Sequence, residues 1–187
     1  MVYAIIVVLV LLVFYIISIY NKLKATQQRV REAWSNIDTQ LKRRYDLIPN
    51  LVETVKGYAK YESETFEAVV RARSEAMNNQ SADTQTRAKD ENSLSNTLKS
   101  LFALSERYPD LKANQNYMQM QSELVDTEDK IQAARSFYNT SVLSLNTQVD
   151  TFPSNIVAKR FGIEKASFFE LDKGERTVVK DAPKVSF

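Results

Sequence analysis

The sequence predicts an all-α protein: an N-terminal transmembrane helix, then an antiparallel up-and-down four-helix bundle, a short C-terminal helix and a tail. Three observations carry this. Val2 to Tyr20, VYAIIVVLVLLVFYIISIY, is nineteen residues without a charge. Apolar residues recur at helical spacing through most of the remaining chain. Glycine and proline are scarce, three and four in 187 residues, so little interrupts long helices.

As a helix the first segment is about 28 Å long, enough for a bilayer core of about 30 Å. Tyr3 and Tyr20 sit at its ends, where aromatic rings favour the membrane interface. A cleaved signal peptide needs a basic leader and a small-residue cleavage site. Met1 alone precedes the run and Ser-Ile-Tyr-Asn closes it, which favours a retained anchor. Between Asn21 and Arg44 seven Lys or Arg face Glu32 and Asp38. Lys22, Lys24, Arg29 and Arg31 directly follow the apolar run, so the positive-inside rule places the N-terminus outside and the bundle in the cytoplasm. Residues 1–21 are therefore read as the anchor, 22–150 as the bundle, and 151–187 as a short helix with an extended tail.

Leu23, Val30, Trp34, Ile37, Leu41 and Ile48 form the first bundle stripe, with Arg44 in register between the last two. Pro49 disfavours helix at Ile48 and removes a backbone donor, while Asn50 with Glu53 resembles a capping box. Pro49 is compatible with a kink or a reversal. A reversal is favoured because it yields helices of matched length, about 39 Å for 22–47 and 45 Å for 50–79. The second stripe runs Leu51, Val52, Val55, Tyr58, Ala59, Phe66, Val69, Val70, Ala76, Met77 and ends in the polar loop of residues 78–86. A third helix carries Leu94, Leu98, Leu101 and Phe102 up to Pro109. The fourth, from Leu111 to Val149, repeats Tyr117, Leu124, Ile131, Tyr138 and Leu145 every seven residues, the spacing of a bundle seam. A short helix ending at Gly162 follows Pro153, and Phe168-Phe169 are expected to clamp the tail to the bundle.

The chain has no cysteine and no histidine, which removes thiolate and imidazole ligands and the commonest general base. Gly57, Gly162 and Gly174 build no phosphate loop. The acidic run Glu123, Asp126, Glu128, Asp129 lacks a calcium-hand loop, and a di-iron bundle requires Glu-x-x-His. No catalytic, metal or cofactor residues are therefore assigned. Three sets of residues merit attention. Lys42, Arg43, Arg44 and Tyr45 form a candidate docking corner beside Pro49. Lys22 and Lys24 lie close enough to the bilayer to meet lipid headgroups. Glu128 and Arg135 share one stripe, seven residues apart, as a candidate buried polar layer. The basic excess is local and carries no nucleic-acid motif. The function this implies is a non-enzymatic membrane scaffold that associates with itself or with other membrane proteins, and no small-molecule substrate. A sensor-associated module is the alternative, and an enzyme ranks third.

The stretch Ala33-Trp34-Ser35-Asn36-Ile37-Asp38, with Gln40-Leu41-Lys42-Arg43-Arg44-Tyr45-Asp46-Leu47-Ile48-Pro49-Asn50-Leu51-Val52 and Val55-Lys56-Gly57-Tyr58-Ala59, resembles the LemA family. Further matches are Arg107-Tyr108-Pro109-Asp110-Leu111-Lys112-Ala113, Glu123-Leu124, Thr127-Glu128, Ala134-Arg135, Tyr138-Asn139, Phe152-Pro153 and Phe168-Phe169-Glu170. Tyr61 and Leu145 depart from the family pattern, where His and an aromatic residue are expected. The resemblance implies a single-pass bacterial inner-membrane protein with a bromodomain-like four-helix bundle, and it brings no catalytic residues.

Overall fold

The structure is a computed structural model that describes residues 1–80 and 82–169. The extended tail expected beyond Phe169 lies outside the described residues. The described chain is all-helical, with six helices in order: α1 (Val2–Tyr58), α2 (Ser63–Asn78), α3 (Thr84–Ser105), α4 (Pro109–Lys112), α5 (Gln115–Asp150) and α6 (Ser154–Arg160).

The reversal expected at Pro49 does not occur. Pro49 lies inside α1, which runs on to Tyr58, and the chain turns at Ala59–Glu62 instead. The buried stripe explains why. Ile48, Leu51, Val52, Val55 and Ala59 continue the spacing of Leu23, Val30, Ala33, Ile37 and Leu41 across the proline without a phase shift. Proline lacks the N–H that would bond the carbonyl four residues back, here that of Tyr45. Arg73 of α2 supplies the donor: its Nε lies 2.8 Å from the Tyr45 carbonyl oxygen. The orphaned acceptor is satisfied from outside the helix, and tertiary packing overrides the local signal. Asn50, expected as a cap, is mid-helix and accepts at its carbonyl from Thr54.

The described chain divides into two compact units, residues 1–38 with 133–168, and residues 39–132 with Phe169. In the first, α1 and α5 are antiparallel: Trp34 packs tilted against Tyr138 with ring centroids 5.2 Å apart, and Gln148 donates to Thr26 Oγ1 at 2.9 Å. Val142, Leu145, Val157, Ala158 and Ile163 fill its interior with Leu23, Val30 and Ile37. Gly162 adopts φ +63°, a left-handed position that favours glycine. Ile163 then returns its N–H to the Ala158 carbonyl at 2.9 Å, closing α6. The following segment lies on α5 through both ends of the Asn146 amide, which bonds the Ala166 N–H and carbonyl, and through Tyr138 to the Ser167 carbonyl. Polar contacts hold it there, and of the two phenylalanines expected as a clamp Phe169 is buried while Phe168 is half-buried.

In the second unit, Phe66, Val69, Ala72 and Ala76 of α2, Leu94, Leu98, Leu101 and Leu104 of α3, and Tyr117, Leu124 and Ile131 of α5 are buried with the second half of the α1 stripe. Asp83 caps α3 by accepting from the Gln85 and Thr86 amides at 3.0 and 3.1 Å. The fourth helix expected from Leu111 breaks at Asn114, whose side-chain carbonyl accepts from Tyr117 N and starts α5 afresh.

Candidate functional site

The interior of the second unit holds a charged constellation. Helical geometry places Arg44 and Tyr45 between Leu41 and Ile48 on the buried face of α1. On α3, Arg87, Glu91 and Ser95 follow one another at four-residue intervals along one face. Arg44 is fully buried, and its Nη1 donates to Glu128 Oε2 at 2.6 Å and to Ser95 Oγ at 2.8 Å. Its Nη2 donates to Glu91 Oε2, and the Tyr45 hydroxyl donates to Glu91 Oε1. Ser95 in turn donates to Glu128 Oε1 at 3.1 Å. One guanidinium thus ties carboxylates from two other helices. The side chain of Glu91 is wholly buried, whereas that of Glu128 is about one-third exposed, at 32 %.

Burial, and then the charge and hydrogen bond of Glu91, push the Tyr45 hydroxyl far above the usual phenol range. It therefore stays protonated and serves as a donor. The groups in this constellation are turned toward one another, which makes it a clasp across three helices. A cavity of about 210 Å³ lies alongside, lined by Leu98, Phe102, Leu124 and Glu128 among others. A wider groove of about 680 Å³ sits where α1 turns into α2, with Lys56, Lys60 and Arg71 around Phe66 and Val70.

The docking corner expected at Lys42 to Tyr45 is corrected by this geometry. Lys42 and Arg43 are exposed, but Arg44 and Tyr45 face inward because α1 continues straight through that position. Of the expected polar layer, Glu128 pairs with Arg44 and Ser95, while Arg135 is buried in the first unit at 4 % exposure. The acidic run is dispersed: Glu123 accepts from Gln119, Asp126 from Lys130 at 2.7 Å, and Glu128 from Arg44. The Lys130 ammonium is the main reason the Asp126 carboxyl is held below its usual value. Lys22 is exposed, and Lys24 sits 5.9 Å from the Tyr20 ring centroid. Sequence reasoning missed Glu91 and Ser95, and saw Arg73 only as a polar interruption of the second stripe. A signal for Glu91 was present, because it falls on the same helical stripe as Leu94, Leu98 and Leu101.

Described residues that are all helix or connecting turn, with an exposed apolar N-terminal helix and an arginine clasp inside, define a class of helical protein. The family model for the LemA family matches residues 33–187, and the chain belongs to that family. It is 28% identical to Protein LemA of Metamycoplasma hominis over 169 residues, covering 89% of this chain and 77% of that one. Shorter likenesses extend to Magnetosome protein MamQ 2 of Paramagnetospirillum magneticum, 32% identical over 40% of this chain and 28% of the relative. Magnetosome protein MamQ of Magnetospirillum gryphiswaldense is 29% identical over 45% of this chain and 31% of its own length.

Proposed function

We propose that the chain is a non-enzymatic, membrane-anchored helical scaffold that associates with itself, its helices α1, α2, α3 and α5 forming an antiparallel, bromodomain-like four-helix bundle. The observation that carries this is α1 itself. Residues 2–17 are uncharged, almost wholly apolar and exposed along their whole length, and the same helix then continues into a buried stripe without a break. Exposed apolar surface on that scale calls for lipid or protein around it. The cations that follow it favour a bacterial inner-membrane protein with the N-terminus outside and the bundle in the cytoplasm. The most buried charges, Arg44 and Glu91, pair with each other and support a framework role more than chemistry.

Lys42 and Arg43 remain on the surface and are the proposed contacts for partner copies or other membrane proteins. Mass photometry of the full-length protein in nanodiscs tests the reading. Assemblies larger than a monomer are expected, and the double variant Lys42→Glu with Arg43→Glu should shift the distribution toward smaller species. A monomer at every accessible concentration would refute self-association.

A further inference from the structure

We propose that α6 and its flanks form a second membrane contact, a foot of Phe152, Ile156 and Phe161 that inserts among the headgroups of an anionic lipid surface. The proposal rests on the anchor reading of residues 2–20. Three observations within the first unit support it. First, Phe161 lies against Tyr20 with ring centroids 4.6 Å apart, and Tyr20 is the last residue of the apolar run, where an aromatic ring marks the interface. Second, the antiparallel register puts the end of α5 at the same depth. Gln148 meets Thr26, which lies about 9 Å along α1 from Tyr20, and α5 ends two residues later. The α5–α6 turn is thereby delivered to the level of the interface.

Third, the exposed side chains there are of the kind that enter an interface. Phe152 is 79 %, Ile156 59 % and Phe161 51 % exposed, while Val157 and Ala158 on the opposite side of α6 are buried. Lys159 and Arg160 follow Ile156 on the outward side of the same short helix. Apolar side chains interleaved with Lys and Arg describe an interfacial element. Lys22, Lys24 and Lys165 add to the positive charge, against Asp150 and Glu164; Asp150 is paired with Lys165 at 2.7 Å. That balance selects an anionic surface over a neutral one. Each cation near such a surface raises local occupancy by a factor of about five.

The chain has no cysteine, so single-cysteine variants of the full-length protein are clean probes. Leu9→Cys, Ile156→Cys and Ser136→Cys would each carry an environment-sensitive fluorophore in proteoliposomes of phosphatidylglycerol and phosphatidylcholine. The quencher is a lipid spin label placed shallow or deep. The fluorophore at 9 is expected to respond to the deep label and that at 156 to the shallow one, while 136, exposed about 20 Å up α5, responds to neither. Replacing the anionic lipid with phosphatidylcholine, or combining Lys159→Glu with Arg160→Glu, should reduce shallow quenching at 156 several-fold. Quenching at 9 with 156 as silent as 136 would overturn the foot and leave the anchor standing. Silence at 9 would overturn the anchor and the foot with it. Shallow quenching at 156 that ignores lipid charge would overturn the anionic preference.

Discussion

Removing Arg44 should be among the most damaging single substitutions in the second unit. Arg44→Met keeps most of the apolar stem but removes the guanidinium, leaving Glu91, wholly buried, with the Tyr45 hydroxyl as its remaining side-chain partner among the described residues. Breaking a buried ion pair from one side costs about 3–5 kcal/mol. Glu91→Gln preserves shape and leaves Arg44 paired with Glu128, so the loss is nearer ~1.5–3 kcal/mol, that of a charged hydrogen bond. Glu128 is one-third exposed, water can replace its contacts, and Glu128→Gln should cost about 1 kcal/mol or less. The combination Arg44→Met, Glu91→Leu and Tyr45→Phe removes both charges together with the hydroxyl that would be orphaned. It should recover most of the loss, since apolar replacement of a whole buried pair is often neutral or stabilising. Urea unfolding of the detergent-solubilised full chain, followed by circular dichroism, reads the series. A cost below about 1 kcal/mol for Arg44→Met, or a combined variant worse than the single one, would refute the reasoning.

The Arg73 contact makes a conditional prediction. Pro49→Ala should stabilise the protein by about 1–3 kcal/mol, since proline inside a helix costs about 3 kcal/mol relative to alanine and Arg73 offsets part of that. Arg73→Met should destabilise the natural chain clearly more than it destabilises the Pro49→Ala variant, where an amide at 49 takes over the Tyr45 carbonyl; equal costs in both backgrounds would contradict the account. At Asp83, the Thr86 hydroxyl first and the helix amides next hold the carboxyl below its ordinary value. A depressed carboxyl stabilises the fold above its unfolded pKa and loses that contribution as pH falls from about 4 through its lower folded value. Amide exchange at Gln85 and Thr86 should therefore accelerate in acid beyond its intrinsic pH dependence, and Asp83→Asn should abolish that extra acceleration.

The helical class, the exposed apolar segment and most of the core were legible because each rests on periodicity. Leu23, Val30, Ile37, Leu41 and the seven-residue series from Tyr117 to Leu145 are all buried. Pro49 misled because a local rule was set against a stripe that ran through it in phase, and the compensating donor, Arg73, is 28 residues from the carbonyl it serves. Arg44 misled in the opposite way. Its place in the stripe was visible, but its charge suggested the surface. A charged residue at a core position predicts buried partners, and Glu91 held the corresponding position on α3. The Asn146 clamp on Ala166 left no trace in any periodicity, since one amide matched to one extended residue has no repeat.

The clasp also answers a question that the apolar pattern leaves open. On α5, Tyr117, Leu124, Ile131, Tyr138 and Leu145 are so evenly spaced that a slip of seven residues exchanges one apolar residue for another, about 10 Å along the axis. Apolar burial alone discriminates weakly between those registers. The polar positions discriminate strongly. A slip in one direction would bring Gln121 to the place of Glu128, and in the other it would bring Arg135 to face Arg44. On α3 the same slip would offer Arg44 either Thr84 or Leu98 instead of Glu91. Each alternative leaves a buried guanidinium short of a carboxylate or opposes it with a second cation, a cost that no exchange of leucine for tyrosine repays. One arginine reaching two helices therefore sets the register of all three. This accounts for a charged cluster within an apolar interior where an apolar replacement would be about as stable: the clasp selects the register, and the apolar stripes stabilise it.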